Sequence, residues 1–279
     1  MDIIDLHAHT TASDGTLTPT ELVDLAHNSG LKALGVTDHD TVAGLTEALS
    51  RGRELGFEVV PGIEISVAVP RGTMHMLGYY LDHTKPDLLA KLTRLQEARR
   101  ERNPKIVARL NELGLDITLE EILTESGGDQ VGRPHFARVM VKKGQAASVN
   151  EAFDLYLTKG APAYKDKFRY SAEEAMGMIT EAGGLPVLAH PFTLGLDESP
   201  DLENLIVDLA GKGLKGIEVF YSEIPSRKSK VYMALAKKYD LKPTGGSDFH
   251  GNNKAEIKLG HGVGDLRVPY EFLVGLREK

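Results

Sequence analysis

Short apolar runs alternate with longer segments of helical periodicity along most of the chain. Residues 1–6 predict a strand. Residues 18–28 predict a helix whose first turn suits Pro19. The rhythm recurs with a strand at 33–36 and a helix at 42–55, then strands at 58–69 and 73–81. Further strands fall at 185–189, 216–220 and 241–244, with a helix near 228–239. Strands separated by helices predict mostly parallel pairing, which makes the fold class α/β. The two runs within 58–81 are joined at Pro70-Arg71-Gly72 and predict a hairpin or a local β insertion.

Between Lys85 and about Lys165 the rhythm changes. Residues 87–113 read as a long helix, with further helices at 119–125, 135–143 and 149–158 and no convincing strand among them. The expected organisation is therefore a βα body at 1–84 and 166–279 carrying a helical insertion at 85–165. No internal repeat or low-complexity tract is present.

Composition narrows the function. With 33 Lys and Arg against 40 Asp and Glu, the net charge of −7 disfavours long duplex nucleic acid as a partner. The absence of cysteine removes disulfides, thiolate metal ligands and Cys nucleophiles together. The N-terminus MDIIDLHAHT is acidic where a signal peptide is basic, and no apolar run reaches ~18 residues. A cytoplasmic location with no membrane partner is the expectation; oligomeric state is not legible.

The histidines carry the chemistry. His7 and His9 lie two residues apart on an extended segment, which puts both imidazoles on one face about 7 Å apart. Alone, such a pair fits an exposed polar strand face as well as a metal site. However, His39, Glu64, His75, His190, Asp248 and His250 also lie in or just after predicted strands, and Asp248 and His250 repeat the two-residue spacing. In parallel βα architectures the C-terminal strand ends gather at one rim, so these side chains can converge. Burying them without metal would cost several kcal/mol. His27, His83 and His261 read as structural or exposed, Asp38 and Asp40 as orienting or turn carboxylates beside His39, and Arg99-Arg100 as a solvated helix face.

The chain resembles the polymerase and histidinol phosphatase (PHP) superfamily of metal-dependent phosphoesterases. The matching segments are DLHAHTTASDGTLTP at 5–19, VTDHDT at 36–41, PGIEIS at 61–66, MHMLGYY at 74–80, LAHP at 188–191 and GGSDFHG at 245–251. RERN at 100–103 and VGRPHFAR at 131–138 are similar to the subgroup acting on nucleoside 3′,5′-bisphosphates or short oligonucleotides. The resemblance implies a distorted (β/α)7 barrel with a helical insertion domain and three divalent ions. One ion would be held by His7, His9, Glu64 and Asp248, a second by Glu64, His75 and His190, and a third by Asp14, His39 and His250. The nitrogen and oxygen donors suit Mn²⁺, with Fe²⁺ or Zn²⁺ as alternatives.

Three dications set against three carboxylates leave a local charge of about +3, so an acidic protein can still hold phosphate. A hydroxide shared by two ions is the expected nucleophile. His190 and a metal-held water are candidate proton donors to the leaving oxygen. Arg102, Arg133, His135 and Lys159 are candidate contacts for a second phosphate, each with the alternative of a solvated or locally paired side chain. The leading expectation is removal of the 3′-phosphate from a nucleoside 3′,5′-bisphosphate to leave a 5′-mononucleotide. A 5′-3′ exonuclease on short RNA or DNA, a histidinol-phosphate phosphatase, an amidohydrolase and a non-enzymatic metal-bearing module are the alternatives.

Overall fold

The computed structural model describes residues 2–127, 130–196 and 200–278. Eight strands form one sheet: β1 (Ile3–Ala8), β2 (Ala33–Val36), β3 (Glu58–Val67), β4 (Met74–Tyr79), β5 (Leu185–Leu188), β6 (Gly216–Tyr221), β7 (Lys242–Gly246) and β8 (Val268–Pro269). Their order is β7-β6-β5-β4-β3-β2-β1-β8. The sheet curls until β7 meets β1, where the Asp248 amide donates to the His7 carbonyl at 2.8 Å and the His9 amide to the Phe249 carbonyl at 2.9 Å. Gly246 permits this closure: a Cβ there would lie 2.4 Å from the backbone nitrogen of His7. The expected α/β barrel is thus present and nearly closed. Its hairpin is part of the wall, because β4 pairs antiparallel with both β3 and β5. The two-residue β8, antiparallel to β1, is too short to show as a periodic run.

Helices α1 (Pro19–Asn28) and α2 (Leu45–Leu55) follow the first two strands. Thr18 starts α1 by a reciprocal cap with Glu21, and the helix buries Leu22, Val23 and Ala26. Next come α3 (Pro86–Glu112), α4 (Leu119–Ser126), α5 (Arg133–Lys142) and α6 (Val149–Ala152). A π-helical turn at Phe153–Leu157 completes the segment expected as one helix over 149–158. Then α7 (Ala172–Glu181), α8 (Pro200–Gly211), α9 (Ser226–Lys238) and α10 (Tyr270–Arg277) return to the barrel. Of these four, the hydrophobic pattern had brought out only α9.

The long helix α3 serves two cores. Leu88, Leu92 and Leu95 join the core of the barrel, whereas Ile106 and Leu110 belong to a second core with Ile122, Phe136, Met140 and Leu157. Pro104 lies between the two halves and removes one helical hydrogen bond there. The helices after β4 are therefore tied to the barrel by α3, whose first half packs into the barrel core. Among the described residues, no helix is long and apolar enough to cross a membrane.

Candidate metal centre

Nine side chains, carried by β1, β3 and β4 and by the loops that follow β1, β2, β5 and β7, meet at one rim of the barrel. Glu64, on β3, stands at the centre and is 0% exposed. Its Oε1 lies 2.7 Å from His75 Nδ1 and 2.8 Å from His190 Nε2. Its Oε2 lies 3.3 Å from His7 Nε2, 3.4 Å from His9 Nε2 and 2.8 Å from His39 Nδ1. Asp248 Oδ1 faces the same two β1 imidazoles, at 3.4 Å from His7 and 3.0 Å from His9. On the far side, Asp14 Oδ1 is 3.3 Å from His250 Nε2, and its Oδ2 is 4.0 Å from His39 Nε2.

Three groups have donor atoms close enough to share an ion: His7, His9, Glu64 and Asp248; His9, Asp14, His39 and His250; and His39, Glu64 and His75. The first coincides with the set implied for the first ion. His9 joins the Asp14 group through its second ring nitrogen, 3.9 Å from Asp14 Oδ1, which spacing alone could not show. His190 adjoins the third group, 3.3 Å from His75.

The donor set fits metal. His7 Nε2, both ring nitrogens of His9, His39 Nδ1 and Glu64 Oε2 are buried with no hydrogen-bond partner. So many orphaned polar atoms in one place would cost several kcal/mol without a cation to receive their lone pairs. Burial, with repulsion from His250, pulls His9 down to about 3, so its imidazole is neutral and able to ligate. Burial likewise lowers His75, to about 4, against the pull of Glu64. At His39 burial acts downward but the Glu64 and Asp14 carboxylates outweigh it, raising the ring to about 9. Backbone strain accompanies the site: Asp40, His190 and Asp248 all have positive φ, at 54°, 23° and 56°.

Around the cluster, carboxylates fix its supports. Asp38 accepts from the Thr10 amide and from the Thr10 and Ser13 hydroxyls, each at 2.7 Å, holding the loop that carries Asp14. A Cβ at Gly15, next in that loop, would lie 2.3 Å from the His9 carbonyl oxygen. Asp248 Oδ2 receives Lys254 at 2.6 Å and the Tyr221 hydroxyl at 2.7 Å, leaving Oδ1 for the imidazoles. Glu218 contacts His7 and was missed in the sequence, although Gly-Ile-Glu at 216–218 repeats the Gly-Ile-Glu that carries Glu64. A carboxylate within a buried strand was the available signal.

A cleft of about 880 Å³ opens from Asp14, His39 and His75 toward Arg99, Arg102, Arg133, Lys159, Lys167 and Arg169, which line it. Arg102 is 3% exposed, and its guanidinium donates to Asn103 Oδ1 at 2.7 and 3.2 Å. Burial and the neighbouring Arg99, Arg133 and Arg169 hold its pKa well below the usual arginine value. Arg133 donates to the Leu157 carbonyl at 2.9 Å, with Tyr164 and Phe153 rings 5.3 and 5.9 Å away. Lys159 reaches across to the Pro70 carbonyl, 3.0 Å away on the β3–β4 hairpin.

His135 is not brought to the cleft. It is 0% exposed, and its Nδ1 accepts from the Gly132 amide at 2.9 Å, capping α5. Its neighbour Pro134 starts the helix, and the ring turns inward to satisfy the free amide. Arg99 corrects the expectation of a solvated face: it points to the barrel and binds Asp40, while Arg100 is exposed. Lys167 and Arg169, on the return from the insertion, also went unrecognised. His27, His83 and His261 stand apart from the cluster, contacting Phe57, Thr46 and Arg267.

Residues 5–167 match the PHP domain model. The chain is 34% identical over 259 residues to a 3′,5′-nucleoside bisphosphate phosphatase of Chromobacterium violaceum, covering 92% of this chain and 90% of that protein. It is also 34% identical to a 5′-3′ exoribonuclease of Haemophilus influenzae, covering 88% and 89%. A Bifidobacterium adolescentis structure, proposed to be a metal-dependent phosphoesterase, superimposes with a TM-score of 0.88 at 28% identity, over 99% of this chain and 95% of that one. With that match and the cluster of imidazoles and carboxylates at the barrel rim, the chain belongs to the PHP domain family.

Proposed function

We propose that this protein hydrolyses the 3′-phosphate of nucleoside 3′,5′-bisphosphates, with three divalent cations, Mn²⁺ foremost, held at the barrel rim. The observation that carries this reading is Arg102: a guanidinium 3% exposed, lining the cleft that opens from Asp14, His39 and His75, with no carboxylate partner among the described residues. An uncompensated buried cation costs several kcal/mol, and a second phosphate on the substrate supplies the missing charge. The similar bisphosphatase and exoribonuclease support the substrate class.

Bound cations supply a nucleophile from water at neutral pH and neutralise charge on the phosphoryl oxygens. The protein's own groups do the rest. Glu64 bridges two ligand groups through its two oxygens, His7, His9 and Asp248 complete one, His75 and His190 another, and Asp14, His39 and His250 a third. His190 Nδ1 is 3.0 Å from Thr193 Oγ1 and its Nε2 faces Glu64, so both ring nitrogens are engaged and a ligand role suits it better than proton transfer. Arg102 and Arg133 bind the distal phosphate from the insertion, and Lys159 braces the mouth of the cleft.

One observation favours a diesterase reading alongside: 880 Å³ is near the upper end for a small-molecule pocket and leaves room for more than one nucleotide. A panel separates the two. Turnover of a nucleoside 3′,5′-bisphosphate well above that of a 5′-phosphorylated oligonucleotide supports the phosphatase, and the reverse order supports the exonuclease. Equal, weak turnover of every ester rejects both.

A further inference from the structure

We infer that Glu218 is a positioning residue that sets which nitrogen of His7 faces the metal cluster and at the same time holds the strained backbone of His190. The inference rests on the proposed role of His7 as a ligand.

Glu218 lies on β6 and is 0% exposed. Its Oε2 accepts the backbone amide of His190 at 2.7 Å. That amide has only one role open to it, so this oxygen is pinned as an acceptor. His190 needs the restraint, since its φ of 23° and ψ of 69° lie outside the favoured regions for a residue with a side chain. With Oε2 pinned, Oε1 is directed at His7 Nδ1, 3.0 Å away. An ionised carboxylate only accepts, so Nδ1 carries the proton. When His7 ligates as a neutral imidazole, its lone pair is then on Nε2, the atom that faces Glu64 Oε2 and Asp248 Oδ1 and has no hydrogen-bond partner. One carboxylate thereby orients an imidazole from β1 and a second imidazole after β5, which belong to different ligand groups around Glu64. Metal-binding histidines depend on such a partner for tautomer and ring orientation.

Glu218→Gln separates this role from simple packing. The amide has the same shape, and its oxygen still accepts from His190. Its NH2 then faces His7 Nδ1, which must become an acceptor, and the ring proton moves to Nε2. A purely structural Glu218 predicts little change in metal uptake.

The test is titration of chelator-stripped protein with Mn²⁺ alone, comparing wild type, Glu218→Gln and His7→Ala by calorimetry. We expect Glu218→Gln to fold and to bind at least one Mn²⁺ about 10–100-fold more weakly. A folded Glu218→Gln with unchanged Mn²⁺ affinity and stoichiometry, while His7→Ala is impaired, overturns the inference about Glu218 alone. Unchanged Mn²⁺ binding in His7→Ala overturns instead the reading of His7 as a ligand. If Glu218→Gln does not fold, ring ¹⁵N shifts of His7 in Zn²⁺-loaded wild type decide. A metal-bound Nε2 with a protonated Nδ1 supports the inference; a metal-bound Nδ1 overturns it.

Discussion

Arg99 grips Asp40 through two nitrogens, Nε at 3.1 Å and Nη2 at 2.5 Å, and so ties the middle of α3 to the loop that carries His39. Asp40 is fully buried and also accepts from the Ser66 amide at 2.7 Å and from Lys167 at 3.3 Å. Its carbonyl receives Gln96 at 3.1 Å and Gln130 at 3.2 Å. The rim that carries the candidate ligands and the cationic wall of the cleft thus meet at Asp40.

Asp40→Asn should therefore destabilise the fold by about 3–5 kcal/mol, since it leaves the partly buried Arg99, and Lys167 wherever it is protonated, without their counter-charge. Denaturant unfolding reads this directly. A loss below about 1 kcal/mol would show that the Arg99 and Lys167 charges are compensated elsewhere.

Lys167 gives a pH dependence. Burial, against the pull of Asp40 and with repulsion from Arg99, pushes its ammonium down to about 7, whereas an unfolded lysine titrates near 10.5. Between these values the unfolded chain holds a proton that the native state has released. Stability should rise with pH across that window, by at most about 1.4 kcal/mol per pH unit from this group, and the contribution should be flat below 7. Comparing wild type with Lys167→Gln from pH 6 to 10 isolates the slope. Parallel curves would remove Lys167 as its source.

Arg102→Met should act oppositely on stability and binding. Replacing a buried guanidinium that has no carboxylate partner among the described residues by an apolar side chain of similar reach should leave the melting temperature unchanged or higher. Loss of a charge-assisted contact to phosphate should raise KM for a nucleoside 3′,5′-bisphosphate about 10-fold or more, since such bonds contribute about 1.5–3 kcal/mol. Turnover of a nucleoside 3′-monophosphate should change little. An equal loss on both substrates would place Arg102 outside the distal-phosphate site.

The uneven legibility of these residues has a physical cause. His7 with His9 and Glu64 were readable because strand periodicity sends alternate side chains to one face, and Asp248 with His250 because parallel strands end at one rim; the pair itself lies past β7, with Asp248 at positive φ, so its two-residue spacing is not a strand repeat. Arg99 was not, because helical periodicity shows which residues share a face but not whether that face meets water or a buried Asp40. Lys167 and Arg169 lie in an irregular return segment with no period to read. His135 shared a segment with Arg133, yet one residue past Pro134 the first turn of α5 directs its ring to a backbone amide instead of the cleft. The run of helices from α3 to α6 was legible by its lack of strands, but α3's membership in two cores depends on tertiary packing.

Glu64→Gln tests the centre of the cluster. Both Glu64 oxygens are surrounded by imidazole nitrogens from different groups, so a neutral amide removes the compensating charge on two sides at once. Elemental analysis of the purified variant should show two fewer Mn²⁺ per chain than wild type, and turnover should fall about 10²–10³-fold, equivalent to roughly 3–4 kcal/mol. Full metal content would mean that Glu64 is a neighbour of the ions without bridging them.

Gly246→Ala tests the barrel closure that brings these ligands together. A methyl group there would lie 2.4 Å from the nitrogen and Cβ of His7, and the obstruction includes backbone, which cannot rotate away. Either β7 moves off β1 or the fold fails, and in both cases the Asp248–His7 backbone bond of 2.8 Å is lost. Because Asp248 and His250 follow β7 directly, the displacement should lower Mn²⁺ occupancy even in variant protein that stays folded by circular dichroism. Gly245→Ala is the useful contrast: its added methyl is also obstructed by backbone, 2.8 Å from the Phe220 carbonyl oxygen, but on the β6 side of β7 and away from His7. Loss of metal in Gly246→Ala but not in Gly245→Ala would tie the site to this one approach of two strands. Equal metal content in both folded variants would show that the ligands hold their places without it.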